Sequence, residues 1–233
     1  MTSITVIIPA YNEEKNILPS FLNAKNAVER FFTDYEIIII DDHSTDDTFK
    51  KLEEIKKKYK FTKIIRNKKN LGLGSVLKQG YELAKKNYVV YFAGDNQIPL
   101  ESFTGMLKLI NSENFYCIIS FHSNMIKTRP LKKYIISKIY NLIISFSFNL
   151  KVNYTTGPTI YNSKILKSIN CHSKNRFVPT EILIKYLKKN KKFINYDMKI
   201  KERDSGESMG IDYIGMKDVI INYFKLVFYY YSK

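Results

Sequence analysis

Residues 35–48 read YEIIIIDDHSTDDT, and this stretch decides the fold class. The run from Tyr35 to Ile40 predicts a buried strand, because consecutive β-branched residues suit a strand that is covered on both faces. The strand ends abruptly at Asp41 and Asp42. The segment 47–59 begins with an acidic residue and ends in lysines, the charge distribution that a helix dipole favours. A buried strand followed by a helix is the repeating unit of a parallel sheet.

The same alternation extends on both sides of this stretch. Apolar runs predict further strands, and apolar residues at helical spacing predict further helices. The predicted strands are 4–8, 63–66 and 88–93. The predicted helices are 14–32, one that follows the turn at 70–75 and ends at about Lys86, and one that starts near Pro99. Strands that alternate with helices predict an α/β fold with a mostly parallel, doubly wound sheet flanked by helices.

Composition narrows the class of protein. The 233 residues fit one α/β domain, and 45% hydrophobic residues with 18 Tyr and 15 Phe exclude a disordered chain. Cys117 and Cys171 have no metal-ligand spacing and predict reduced core residues. The longest uncharged run, 114–126, has 13 residues, whereas a membrane-spanning helix needs about 20. With no signal peptide in view, we expect a cytoplasmic protein.

The net charge of +16 is unevenly distributed. Residues 1–49 carry three basic and nine acidic side chains, so the positive excess lies entirely in the rest of the chain. Such a surface attracts phosphates, nucleic acid or an anionic membrane, although a lysine-rich composition alone gives the same count. No nucleic-acid recognition motif accompanies the charge, so we expect no nucleic-acid partner.

Acidic and amide side chains follow three of the predicted strands. Glu13 and Glu14 follow the first, Asp41 and Asp42 the second, and Asp95 with its neighbours the strand 88–93. Ligands of parallel sheets bind outside the carboxyl ends of the strands, so these residues predict a site. The alternative is that they cap helices, which suits Asp46 or Asp47. An acidic pocket in a basic protein indicates a divalent cation that bridges to a phosphorylated ligand.

Two other motifs do not match their patterns. Gly72-x-Gly74 lacks the third glycine of a dinucleotide fingerprint, and no Gly-Lys-Ser/Thr phosphate loop is present. The three histidines, His43, His122 and His172, lie far apart without metal-ligand spacing, and none is assigned a catalytic role.

The chain resembles the inverting glycosyltransferases of family 2 in three segments: 6–14 (VIIPAYNEE), 36–48 and 70–74 (NLGLG). Members of that family have the GT-A fold. In the second segment, His43 and Asp47 stand at positions where glycine is usual. Within the family the chain is most similar to polyprenyl-phosphate sugar synthases such as the dolichyl-phosphate mannose synthases. Segments 153–157 (NYTTG) and 201–208 (KERDSGES) extend the resemblance to about residue 209.

The resemblance implies roles for individual residues. The catalytic residues would be Asp95, Arg203 and Glu181, and the cofactor would be Mg²⁺ or Mn²⁺ held by Asp95 and Gln97. Residues implied to contact the nucleotide and its diphosphate are Pro9, Tyr11, Glu13, Ile40, Asp42, Gly94, Asp95, Gln97, Lys133 and Arg203. Three positions depart from the family: Ala93 replaces the first residue of the usual Asp-x-Asp, His122 an arginine near the donor phosphates, and Met209 a lysine.

The function implied is transfer of a sugar from a nucleotide-diphosphate donor to a polyprenyl phosphate at the cytoplasmic membrane face. One alternative is transfer to a sugar hydroxyl in surface-polysaccharide or lipid-oligosaccharide synthesis, with Glu181 or Asp95 as general base. Another is a non-catalytic module that binds nucleotide sugars. The residues do not choose the sugar, the nucleotide base, the acceptor or the metal.

Two apolar segments could reach the acceptor's membrane. Residues 134–150 contain one charge, Lys138, and residues 219–231 are rich in tyrosine and broken only by Asn222 and Lys225. Apolar helices with tyrosines and flanking lysines suit an anionic membrane surface, while packing on the sheet or a homodimer contact would look the same. We expect a glycosyltransferase domain over 1–210 and a C-terminal helix over 211–233.

Overall fold

The computed structural model describes residues 2–111, 117–190, 192–203 and 213–232. The strands in this part of the chain are β1 (Ile4–Ala10), β2 (Tyr35–Asp41), β3 (Lys63–Arg66), β4 (Tyr88–Tyr91), β5 (Cys117–Phe121), β6 (Thr159–Asn162) and β7 (Phe193–Asp197). The helices are α1 (Ile17–Glu29), α2 (Thr48–Lys58), α3 (Leu73–Leu83), α4 (Leu100–Lys108), α5 (Met125–Thr128), α6 (Leu131–Phe148), α7 (Ser163–Lys167), α8 (Val178–Lys189) and α9 (Tyr213–Tyr231).

The described strands form one sheet in the order β3-β2-β1-β4-β6-β5-β7. β1 pairs in parallel with β2 and with β4, while β6 runs antiparallel to both β4 and β5. The predicted α/β fold with a mostly parallel sheet is therefore confirmed. The chain moves outward from β1 to β3 and returns on the other side of β1 at β4. The chain therefore reverses its direction across the sheet between β1 and β4. This position is a topological switch point, and sheets of this kind bind ligands at the carboxyl ends of the strands there.

Both faces of the central strands are buried. Alternate residues point to opposite faces, so Ile37 and Ile39 enter one core cluster and Ile38 and Ile40 enter the other. Gly80 of α3 lets that helix approach β1 closely, since a Cβ there would lie 2.6 Å from Ile7 Cγ2. This packing fixes the carboxyl ends of β1, β2 and β4 relative to one another.

The sequence predicted the first half of the fold better than the second. The strand at 63–66 matches β3, whereas the predicted helix 14–32 begins only at Ile17, because residues 11–16 form turns. Strands β5, β6 and β7 were not predicted. β6 has only four residues, and β7 is half-exposed throughout, so neither shows a clear apolar pattern.

The two predicted apolar segments lie in α6 and α9, and these helices pack together. Their shared core contains Ile144 and Phe148 of α6, Leu226 of α9, and two residues of the α8 region, Phe177 and Ile184. Within the described ranges, no helix combines the length and apolar character needed to cross a membrane. The predicted boundary at 210/211, the motif residues 204–208 and Met209 lie outside the described residues.

Candidate functional site

The loops that follow β1 and β2 are joined by hydrogen bonds at the carboxyl edge of the sheet. Asn12 N donates to Ser44 Oγ at 3.0 Å, and Glu13 N donates to Thr48 Oγ1 at 2.7 Å. Asp46 Oδ1 accepts from Thr48 N at 3.0 Å, so the capping alternative holds for this one aspartate. The loops after β1 and β2 therefore present their side chains from one fixed platform.

A left-handed residue follows each of the three strands at this edge. Asn12, His43 and Asn96 have φ values of 55°, 65° and 57°. Each such residue turns the chain sharply away from its strand, and asparagine tolerates this conformation better than most residues. The positive φ at His43 also explains why glycine is usual at this position in the family that the chain resembles, because glycine adopts positive φ without strain.

Glu13, Asp95 and Arg203 are brought together at the switch point. Arg203 Nη2 lies 2.5 Å from Glu13 Oε1, and Asn16 Nδ2 donates to Glu13 Oε2 at 2.8 Å. Burial raises the pKa of Glu13, and the neighbouring Asp95 raises it further, while Asn16 and Arg203 act in the opposite direction. The three residues form a charged cluster between the ends of β1 and β4.

Burial also raises the pKa of Asp95 above its usual range. The backbone N–H of Gln97, which donates to Asp95 Oδ1 at 3.1 Å, opposes this increase, as do Arg203 and Arg129. A half-buried carboxylate beside two cations is typical of a functional site. The sequence analysis assigned no role to Arg129 and so missed its place in this cluster.

The segment that carries Arg203 is attached to the loop after β4. Lys201 N donates to Gln97 O at 2.9 Å, and Gln97 Nε2 lies 3.3 Å from Lys201 O. Gly94 is required here by close packing, because a Cβ at this position would lie 2.6 Å from Pro9 O. Pro9 and Tyr11 are half-exposed at the end of β1. The loop after β4 is thus packed against the end of β1 and against the segment that carries Arg203.

Asp42 and Ile40 occupy different environments from the one expected of nucleotide contacts. The Asp42 carboxylate accepts from Asn67 Nδ2 at 2.8 Å, Leu71 N at 2.9 Å and Gly72 N at 2.7 Å, and so holds the loop before α3. The Ile40 side chain is fully buried in the core and has no surface to offer a ligand.

Glu181 lies in a closed set of hydrogen bonds that does not suit a general base. Ser173 N and His172 N donate to its carboxylate at 2.8 and 3.0 Å, and Lys185 Nζ lies 2.6 Å away. The residue is 2% exposed, and although burial opposes ionisation, the hydrogen bonds from Lys185, Ser173 and His172 lower its pKa to about 2. The base role predicted from sequence is therefore replaced by a positioning role, because a base needs an accessible oxygen and a pKa near the working pH.

The remaining predicted cations and histidines have distinct positions. Lys133 lies half-buried in the first turn of α6, four residues after Arg129. His122 Nδ1 lies 2.7 Å from Met198 O, and burial lowers its pKa. In the part of the chain that the structure describes, no cluster of three His, Cys, Asp or Glu residues could hold a metal ion.

Comparison with known proteins agrees with this geometry. The sequence profile of the family described as Glycosyl transferase family 2 matches residues 5–187. Dolichol-phosphate mannosyltransferase of Pyrococcus furiosus is 32% identical over 137 residues, covering 58% of this chain and 38% of that protein. Undecaprenyl-phosphate 4-deoxy-4-formamido-L-arabinose transferase of Pseudomonas fluorescens is 25% identical over 180 residues, covering 76% of this chain and 52% of that protein. The chain thus spans about half or less of the length of these relatives.

Glucosyl-3-phosphoglycerate synthase from Mycobacterium tuberculosis, solved with Mn²⁺, UDP-glucose and phosphoglyceric acid, has a similar structure. The TM-score is 0.69 at 17% identity, and the match covers 97% of this chain and 80% of that one. At this identity the similarity shows the shared fold.

Proposed function

The chain belongs to glycosyl transferase family 2, and on that premise we propose that it transfers a sugar, with inversion, from a nucleotide-diphosphate donor to a polyprenyl phosphate at the cytoplasmic face of a membrane. The observation that carries the proposal is the cluster of Glu13, Asp95 and Arg203 at the switch point of the sheet. The names of the two curated relatives, a dolichol-phosphate and an undecaprenyl-phosphate transferase, support this class of acceptor.

The donor would lie along the carboxyl edge between β1 and β4. We place the nucleotide base and ribose against Pro9, Tyr11 and Glu13, with Asp42 acting through the loop that it holds. Arg203 and Lys133 would face the diphosphate. Arginine suits this role because its guanidinium donates two parallel hydrogen bonds to a phosphate.

The residues near Asp95 fit a divalent cation that the donor helps to hold. Asp95 offers a carboxylate and Gln97 an amide oxygen, whereas Ala93 offers no side-chain oxygen. Mg²⁺ commonly takes one or two protein carboxylates and completes its shell with substrate phosphates and water. Bound there, Mg²⁺ or Mn²⁺ would act as a Lewis acid on the departing diphosphate.

The acceptor's chemistry agrees with the enclosure of Glu181, which keeps this carboxylate from acting as a base. A phosphate monoester with a second pKa of about 6 is mostly ionised at neutral pH, so its oxygen attacks without prior proton removal. That oxygen forms a bond to the anomeric carbon while the bond to the donor diphosphate breaks, and the electron pair leaves with the diphosphate. Arg203 stabilises the charge that develops on the leaving group.

The test begins with thermal unfolding of the protein against a panel of nucleotide sugars, with and without Mn²⁺. A ligand at a hundredfold excess over its dissociation constant stabilises the native state by about 2.7 kcal/mol. The donor identified in this way is then offered with undecaprenyl phosphate and, separately, with sugar acceptors. Transfer to the lipid phosphate is the expected result, while transfer to a sugar hydroxyl alone would refute the proposed acceptor. Binding without any transfer would favour the non-catalytic module.

The surface of α6 and α9 supports contact with a membrane. Phe146 of α6 is 88% exposed and Phe228 of α9 is 73% exposed, each within a stripe of exposed apolar residues. The two helices pack side by side, with Ser147 Oγ 2.7 Å from Tyr223 Oη. Contiguous exposed apolar residues of this kind commonly mark a surface that contacts a membrane or another protein.

Exposed lysines lie beside the apolar stripes of these helices, at Lys132 and Lys138 of α6 and at Lys217 and Lys225 of α9. We therefore place the pair against anionic lipid rather than a second copy of the chain. Flotation with phosphatidylglycerol vesicles should recover the protein, and the pair Phe146→Ser with Phe228→Ser should not float. Phe61→Ser, on an exposed phenylalanine outside α6 and α9, is the matched control. Equal flotation of all variants, or a dimer that the double variant dissolves, would contradict the membrane assignment.

A further inference from the structure

Arg129 is a half-buried cation whose charge acts on the carboxylate of Asp95 without a direct ion pair between the two side chains. It follows α5 and precedes Pro130, with extended backbone at φ −138° and ψ 150°. Among the described residues, none forms a hydrogen bond or an ion pair with its guanidinium. Arginine has five donors and is seldom withdrawn from water without partners, because an unpaired charge loses hydration. Such a group is suited to a ligand that supplies the missing acceptors.

The position of Arg129 is fixed by the packing of its segment. Asn124 Nδ2 donates to Ile200 O at 2.7 Å, and Ile200 N donates back to Asn124 Oδ1 at 3.2 Å. Met125 is buried beneath them. These contacts hold the segment 122–129 beside the segment 198–203, which carries Arg203. The charge of Arg129 is close enough to lower the pKa of both Asp95 and His122.

His122, in the same segment, does not supply a positive charge at this place. It stands where similar sugar synthases have an arginine, but its Nδ1 is taken up by Met198 O at 2.7 Å and burial favours the neutral ring. A neutral imidazole adds no positive charge opposite a phosphate. Arg129, seven residues later on the chain, supplies a permanent charge in the same neighbourhood.

We propose that Arg129 binds a phosphate group of the reactants beside Asp95, in place of the cation that His122 does not provide. The inference rests on the proposed function for the identity of the ligand that bears the phosphate. The shared chemistry is a phosphate dianion or diphosphate that takes two parallel hydrogen bonds from the guanidinium. Its source is either the donor's diphosphate or the acceptor's phosphate.

The first experiment uses inorganic pyrophosphate as the probe, so it does not depend on the identity of the nucleotide. Dissociation constants are measured by calorimetry for the wild-type protein, Arg129→Gln, Arg129→Lys and Lys127→Gln. Lys127 is an exposed cation two residues earlier and serves as the matched control. Arg129→Gln should bind pyrophosphate about 10-fold or more weakly, Arg129→Lys should lie between, and Lys127→Gln should match the wild type. Equal affinity in Arg129→Gln and Lys127→Gln would overturn the proposal.

Thermal unfolding without ligand separates binding from a structural role. Because Arg129 forms no hydrogen bond or ion pair with the described residues, Arg129→Gln should unfold close to the wild-type midpoint. A lowered midpoint, together with unchanged pyrophosphate affinity, would show that Arg129 is structural.

Two further measurements distinguish the source of the phosphate. If Arg129 binds the donor's diphosphate, Arg129→Gln should weaken the binding of a nucleoside diphosphate more than the binding of the matching monophosphate. If the acceptor is bound, nucleotide affinity should stay the same while KM for undecaprenyl phosphate rises. Either pattern supports phosphate binding by Arg129. If no nucleotide binds the wild type more tightly than pyrophosphate does, the proposed function fails, while the comparison of pyrophosphate affinities still decides the role of Arg129.

Discussion

Replacing Glu181 with glutamine tests whether this carboxylate supports the structure or removes a proton. The pKa of Glu181 is lowered from 4.5 to about 2, a difference that corresponds to about 3 kcal/mol of stability at neutral pH. The glutamine would also direct an NH₂ group at donors and leave the buried Lys185 without its carboxylate. Removing one partner of such a pair costs about 3–5 kcal/mol. We therefore expect Glu181→Gln to lose about 3 kcal/mol of unfolding free energy at pH 7.

The assay is urea unfolding at pH 7 and pH 3, with Glu82→Gln as control because Glu82 is exposed. Since the folded-state pKa is lowered, the stabilisation by Glu181 is complete above about pH 4.5 and is lost as the pH falls towards 2. The difference between the wild type and Glu181→Gln should shrink to about half at pH 3, whereas Glu82→Gln should stay close to the wild type. Turnover per folded molecule should persist in Glu181→Gln. Full stability with lost turnover would refute the positioning role and restore Glu181 as a base.

Four further predictions concern the edge of the sheet. Asp95→Asn should lower turnover about 100-fold or more. The same variant should keep or raise the thermal midpoint, because burial disfavours the negative charge of the wild-type carboxylate. A lowered midpoint would contradict this reasoning. Ala93→Asp should restore a second carboxylate and tighten Mn²⁺ binding about tenfold in the presence of the donor nucleotide. Calorimetry measures this affinity, and an unchanged value would show that residue 93 does not face the metal. Gly72→Ala should cost about 1–3 kcal/mol in urea unfolding, because φ is 78° and no atom lies within 4 Å of the added Cβ, so backbone strain alone acts. His43→Gly should change stability by less than about 0.5 kcal/mol, because relief of the left-handed strain offsets the chain entropy of glycine.

The central strands could be predicted because their signal is local. Ile37 to Ile40 form a continuous apolar run that only a strand buried on both faces explains, and the acidic residues after it mark its end. β6 has four residues, and its antiparallel direction follows from pairing with β4 and β5. That pairing is set by contacts far apart in sequence, which no local pattern records.

The candidate site shows the same division. Glu13 and Asp95 could be brought together in advance, because residues after neighbouring parallel strands share one edge. Glu181 could not be interpreted correctly, since its environment depends on the backbone N–H groups of His172 and Ser173 and on burial by the fold. Arg129 has no distinguishing sequence feature, and its importance appears only when the fold shows that its charge acts on Asp95 while no described residue forms a hydrogen bond with its guanidinium.

The ion pair between Glu13 and Arg203 joins positions 190 residues apart and therefore has a consequence for the order of folding. During synthesis the strands β1 to β4 emerge early, and the carboxylates of Glu13 and Asp95 already stand close together without Arg203. Contacts that close long loops form late, because loop closure costs chain entropy before it brings any gain. The acidic edge is thus assembled first and neutralised last. A nascent chain released before residue 203 would keep its first strands but would leave the carboxylate of Glu13 without its ion-pair partner.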